Sequence, residues 1–173
     1  KDFTGTADSI VVQVIEKATG KAIAGLKYTP TVTPVTPTGE DVTTTGKQGK
    51  VQTGTPKFTE GDVEVPLKVD AAQPAKFVVN GTAVEKTTID ATKDGAKVGT
   101  YTLDPLTGEV TFTPNKDFVG TPDAVTVQVK DENGTTATAK YTPTVTAVTP
   151  TGEDVTSTGK QGKVQTGRPK FTE

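Results

Sequence analysis

Two stretches of this chain are nearly the same string. Tyr28 to Glu60 reads YTPTVTPVTPTGEDVTTTGKQGKVQTGTPKFTE, and Tyr141 to Glu173 repeats it with changes only at Pro34/Ala147, Thr44/Ser157 and Thr55/Arg168. The likeness continues upstream, where Lys1 to Val14 (KDFTGTADSIVVQV) parallels Lys116 to Val129 (KDFVGTPDAVTVQV), displaced by two residues in the loop that follows. The period of roughly 113 to 115 residues is domain-sized, too long for a solenoid rung, so each copy needs a core of its own. Residues 61–115 have no counterpart in the chain. The Pro-interrupted segment TPTVTPVTPTGE reads as a last strand running into a stiff, extended joint. Boundaries are expected near Pro37 and Pro150, which makes 1–36 the C-terminal part of one unit, 37–149 a complete unit and 150–173 the start of the next.

Composition narrows the chemistry. The chain has no Cys, His, Met or Trp, which removes thiol and imidazole catalysis, disulfides and the usual zinc, copper and haem sites, and leaves only oxygen-ligated ions such as Ca²⁺. The 19 Lys and Arg are interspersed with 21 Asp and Glu, a pattern that offers no phosphate-binding surface, so nucleic acid is not an expected partner. Apolar runs are only a few residues long, and neither a membrane span nor a signal peptide is expected in this stretch. Hydrophobic residues make up 31% of the chain, below the globular norm of about 45–50% that also counts Gly. The core is expected to be thin, and Thr alternating with Val points to strands.

The hairpins carry local mechanisms. In Lys76 to Val84 (KFVVNGTAV), Asn80-Gly81 can take the left-handed φ values of a two-residue type I′ turn. In Gly99 to Thr113, Tyr101 and Leu103 face Val110 and Phe112 across a turn made by Asp104-Pro105 and Thr107-Gly108. Val125, Val127 and Val129 point inward on the next strand, and the turn Asp131-Glu132-Asn133-Gly134 returns the chain with Ala137, Ala139 and Tyr141 inward. The first copy has Ile10, Val12 and Val14 answered by Ala24, Leu26 and Tyr28. With further strands at Val63–Val69, near Val51 and at Thr142–Val148, about seven or eight strands are expected in each unit. No stretch has a helical period, and Ala91 to Lys97 reads as a loop because of Gly95. The fold class is therefore all-β, an Ig-like antiparallel β-sandwich repeated end to end.

Candidate sites are few. Gly39 to Gln48 (GEDVTTTGKQ) superficially resembles a phosphate-binding loop, but six residues separate its glycines, not four, and Lys47 is followed by Gln48 where Ser or Thr is needed. It reads as a bend or bulge, with Gly46 and Gly49 relieving φ constraints. Asp131-Glu132-Asn133-Gly134 and Glu40-Asp41 offer oxygens for Ca²⁺, against plain turn chemistry for the first and solvated linker charge for the second. A glycosidase pair would need aromatic sugar platforms, and three Tyr and six Phe with no Trp are mostly required for the core. Asn80-Gly-Thr82 and Asn133-Gly-Thr135 match the glycosylation sequon but read as hairpin turns. No catalytic, metal-binding or cofactor-binding residue is assigned, no cofactor is expected, and the chain is not expected to be an enzyme.

The TGKQG and YTPTVT elements, with GTYTLDPLTGEVTFTPNKDFVGTPDAVTVQVKDENGT between them, closely resemble the CshA-type fibril repeat of streptococcal and related Gram-positive surface adhesins, over essentially the whole chain. The resemblance implies β-sandwich beads in a cell-wall-anchored extracellular fibril, with host binding credited mainly to a non-repetitive region elsewhere in the parent. The implied role is a structural stalk whose partners are neighbouring repeats. The alternative is an adhesive module that binds a host surface protein or neighbouring fibrils through sheet faces or edge strands. Stalk domains of Gram-positive proteins also suggest a Lys–Asn isopeptide bond, for which the sequence alone pairs no residues.

Overall fold

The computed structural model describes residues 3–172. Lys1, Asp2 and Glu173, which belong to the expected 1–36 and 150–173 segments, lie outside the described residues. Those described contain no helix. Four short strands come first: β1 (Gly5–Thr6), β2 (Ile10–Val12), β3 (Leu26–Tyr28) and β4 (Thr31–Val32). Twelve follow: β5 (Thr38–Glu40), β6 (Val42–Lys47), β7 (Gln52–Gly54), β8 (Lys57–Thr59), β9 (Leu67–Lys68), β10 (Lys76–Val79), β11 (Thr82–Val84), β12 (Thr88–Lys93), β13 (Ala96–Leu103), β14 (Val110–Pro114), β15 (Val125–Asp131) and β16 (Thr136–Thr146). Strands β17 (Thr151–Glu153) and β18 (Lys170–Thr172) close the order.

A six-stranded sheet runs β11-β10-β15-β16-β6, with β9 also on β15, and faces a four-stranded sheet β12-β13-β14-β7. Alternation decides which side chains lie between them. Phe77, Val125, Val127, Val129, Tyr141 and Val145 come from the first sheet and Ala91, Tyr101, Leu103, Val110 and Phe112 from the second, all buried in one cluster. The Tyr101 ring sits 5.3 Å from Phe112 and 6.2 Å from Tyr141, centroid to centroid, within the range of favourable tilted and edge-on aromatic pairs. The all-β sandwich is therefore the observed architecture.

The expected hairpins form in the expected registers. Asn80 and Gly81 both have positive φ, 50° and 77°, and Val79 pairs with Thr82 around them. Tyr101 lies opposite Phe112 and Leu103 opposite Val110; Val125, Val127 and Val129 lie opposite Tyr141, Ala139 and Ala137.

Four details differ from the sequence reading. Residues 91–97 do not form a loop: β12 pairs with β13 through Asp94-Gly95, whose φ values of 51° and 80° make the same kind of turn as Asn80-Gly81. Thr142 to Val148 is no separate strand, because β16 runs unbroken from Thr136 to Thr146. The Val63–Val69 strand shrinks to Leu67–Lys68. The sandwich is antiparallel apart from one pair, β6 with β16, which is parallel and joins Val42 to Tyr141 and Lys47 to Thr146.

The flanking segments have strands without a core. Strands β2 and β3 pair Ile10 with Tyr28 and Val12 with Leu26, the pairing of β15 with β16, yet Tyr28 is 59% exposed where Tyr141 is 0%. Among the described residues no second sheet covers them.

Gly54 is a packing point between the sheets: a Cβ there would overlap the ring of the fully buried Tyr141. Gly54→Ala is expected to destabilise the fold by about 1–3 kcal/mol through overpacking, read as a lower denaturant midpoint with an unchanged slope.

Candidate functional site

The most organised polar cluster lies where β6, β7 and β16 meet. Strand β6 belongs to the larger sheet, and the turn at Lys47–Lys50, closed by the Lys50 N–H to the Lys47 carbonyl at 3.0 Å, carries the chain into β7 of the smaller sheet. Gln52 on β7 is thereby placed between the sheets, 7% exposed. Thr44 Oγ1 donates to Gln52 Oε1 at 2.7 Å, and Gln52 Nε2 donates to the Thr144 carbonyl at 3.0 Å. Tyr141 Oη is 2.8 Å from Thr44 Oγ1. Because the threonine proton is committed to Gln52, the tyrosine is the donor in that pair. The amide thus ties one sheet to the other with its oxygen and nitrogen both satisfied, the condition under which a buried polar network adds rigidity.

Glycines make room for this cluster. A Cβ at Gly46 would lie 2.8 Å from the Gln52 side chain. Gly46 is therefore present for space and not, as the sequence suggested, for φ; of the two glycines, Gly49 is the one with positive φ, 74°. The phosphate-loop-like stretch Gly39 to Gln48 is accordingly strand β5, strand β6 and the start of a turn.

The other sequence candidates are held in backbone pairing. Asp131 is fully buried at the end of the inward row of β15, and its Oδ1 accepts from the Thr135 N–H at 2.8 Å, closing the return turn. Its Oδ2 has no hydrogen-bond partner among the described residues. Asp41 Oδ1 accepts from the Lys140 N–H at 2.7 Å, so this carboxylate extends the β6–β16 ladder by one step. The described residues contain no group of three or more Asp or Glu arranged to hold a metal ion, and none of their lysines is buried. Asn80 and Asn133 both lie in hairpin turns.

The hydroxyls in and beside the cluster are proton-retaining. Burial pushes the Tyr101 hydroxyl far above its ordinary value of 10.0, and burial likewise raises Tyr141. Tyr101 Oη donates to the Asp123 carbonyl at 2.8 Å. Asp104 is held below the usual carboxylate range chiefly by the Leu106 N–H, which it accepts at 2.9 Å. The cluster offers hydrogen bonds held in fixed directions, and its chemistry is that of a fastener.

Sequence reasoning missed Gln52. The positions that alternate inward there are Gln52, Gly54 and Pro56, which carry no apolar signal. The recoverable clue was Gly54, which follows Gln52 at the two-residue spacing of a strand and marks a crowded place on the same face.

Raised tyrosine values make the folded state the tighter proton binder above pH 10, so stability is intact below that pH and falls as pH rises further. Alkaline unfolding followed by circular dichroism is expected to begin above about pH 10, and Tyr101→Phe is expected to flatten the decline.

A family model described as the surface adhesin CshA repetitive domain matches residues 34–145, a span that covers both sheets and the cluster. No curated protein matches the chain. The match takes in TGKQG, which supplies the crossing turn, and YTPTV, which supplies the buried half of β16. The chain belongs to the CshA-type repeat family of surface adhesins.

Proposed function

We propose that this chain is a stalk segment: a non-catalytic repeat that holds a distal binding region of a fibrillar adhesin away from a Gram-positive cell wall, to which other parts of the parent protein anchor it. The adhesin family makes the setting extracellular, at the cell surface. The observation that carries the stalk reading is the parallel pairing of β6 with β16. When the first and last long strands run the same way, the chain comes in at one end of the sandwich and leaves at the other. The eleven residues of β16 span roughly 36 Å at the usual strand rise. Each added unit therefore adds length.

The joint supports the same reading. Pro37 is buried, and a Cβ at Gly61 would lie 2.6 Å from the Thr36 carbonyl oxygen, so the backbone ahead of β5 packs directly on the unit that follows. The proposed frame keeps 37–149 as one unit, with 1–36 and 150–173 belonging to its neighbours. Small-angle scattering of two consecutive complete repeats is expected to give a rod whose maximum dimension is about twice that of one; a compact profile would rule out a stalk.

Direct adhesion has one observation of its own. Between the edge strands β11 and β12 the sandwich opens into a cleft of about 620 Å³ lined by the apolar Val79, Val84 and Ile89 together with the charged Glu85, Lys86 and Asp90. Saturable binding of a host protein by an isolated repeat, lost in Ile89→Lys, would favour that reading over a passive stalk.

A further inference from the structure

We infer that the β6–β16 pair is a mechanical clamp, a shear lock that resists pulling along the fibril axis. The inference rests on the stalk reading for its direction of load, and on the strand geometry for everything else. Tension along the chain draws the start of β6 toward the end where the chain comes in and the finish of β16 toward the end where it leaves. The two strands lie side by side and parallel. Opposed forces on such a pair act along the strands and across the hydrogen bonds, so the whole ladder must yield together. A force applied at the same end of both strands would open the ladder one bond at a time.

The ladder is longer than its six paired residues. At its start, Asp41 Oδ1 takes the Lys140 N–H at 2.7 Å. At its finish, the Gln48 N–H donates to the Thr146 carbonyl at 2.8 Å, Thr146 Oγ1 donates to the Gly46 carbonyl at 3.2 Å, and Gln48 Oε1 accepts from the Val148 N–H at 3.5 Å. Gln52 fastens the middle from the opposite sheet through the Thr144 carbonyl. The other side of β16 is held as well: Val145 and Gly120 exchange two backbone bonds of 2.8 and 2.9 Å.

That exchange also explains a proline in the middle of a buried strand. Val145 directs its backbone groups at Gly120, and Thr146 directs its carbonyl at Gln48. By the two-residue period of a strand, odd-numbered positions such as Pro143 face away from β6 and even-numbered ones face it. Pro143, which is fully buried, therefore removes no donor from the clamp.

The chain has no cysteine, so an introduced pair is the sole point of attachment for single-molecule force spectroscopy. Glu40, Asn133 and Thr149 are all exposed. Pulling through Glu40→Cys with Thr149→Cys loads the pair in shear, whereas pulling through Glu40→Cys with Asn133→Cys peels it from the end at which β6 begins. The expected result is a rupture force about two-fold or more higher in shear than in peeling at the same loading rate, because the hydrogen bonds of the ladder must break together and not one after another. A smaller ratio overturns the clamp. The outcome is independent of the scattering test, since a rod can lack a clamp and a clamped domain can sit in a compact array.

Discussion

The parallel pairing of β6 with β16 is the constraint on which the rest of this domain depends. It joins the first long strand to the last, Val42 to Tyr141, across nearly the whole domain, so closing it orders almost everything between. Such non-local contacts are costly in chain entropy before they return anything. The return comes from what the closure buries. Tyr141 and Val145 reach the core from β16, the crossing turn after β6 delivers Gln52 and Gly54 to the facing sheet, and Gln52 then bonds back to Thr44 and Thr144. Hydrogen bonds that each contribute about 1 kcal/mol net matter here because they fix the direction of strands whose apolar faces supply most of the stabilisation.

The duplicated strings act as internal controls for that view. YTPTVT occurs twice, as residues 28–33 and 141–146, and only the second copy is buried: Val145 is 2% exposed where the equivalent Val32 is 45%. Strands β17 and β18 reproduce the register of β5 and β8, with Gly152 opposite Phe171 as Gly39 is opposite Phe58. Local pairing is therefore written in the repeated sequence, but burial is not. Burial requires residues 61–115, the stretch that occurs once in this chain, since β12, β13 and β14 supply three of the four strands of the opposing sheet. The same β-forming residues finish exposed or buried according to what covers them, as expected when strand preference reflects packing more than backbone bias.

Legibility in the sequence followed the same division. The hairpins at Asn80-Gly81, at Asp104–Gly108 and at Asp131–Gly134 were readable because two residues' φ preferences and a period of two set both turn and register. Asp94-Gly95 carries the same turn signal, but β12 (TIDATK) mixes apolar and charged residues on an edge, so its alternation was too weak to be read as a strand. The parallel pair was not readable at all: strands about a hundred residues apart leave no mark of their partnership in either local pattern. Gln52 was hidden for a related reason. A polar side chain between two glycines becomes a tie between sheets only after β6 and β7 have been assigned to different sheets.

A thin core and an absence of disulfides are then compatible with the proposed role under tension. Hydrophobic residues make up 31% of the chain and disulfides are impossible, so equilibrium stability has few sources beyond the buried cluster. Resistance to pulling is set by the rate of forced unfolding along one direction, not by the equilibrium free energy. In the proposed stalk, a ladder loaded in shear would raise the barrier along the axis without adding apolar surface, and the surface left free can stay rich in threonine and charge, as it does on the outward face of β16. Economy of core and strength along the axis are on this account one solution, reached by running the first strand and the last in the same direction.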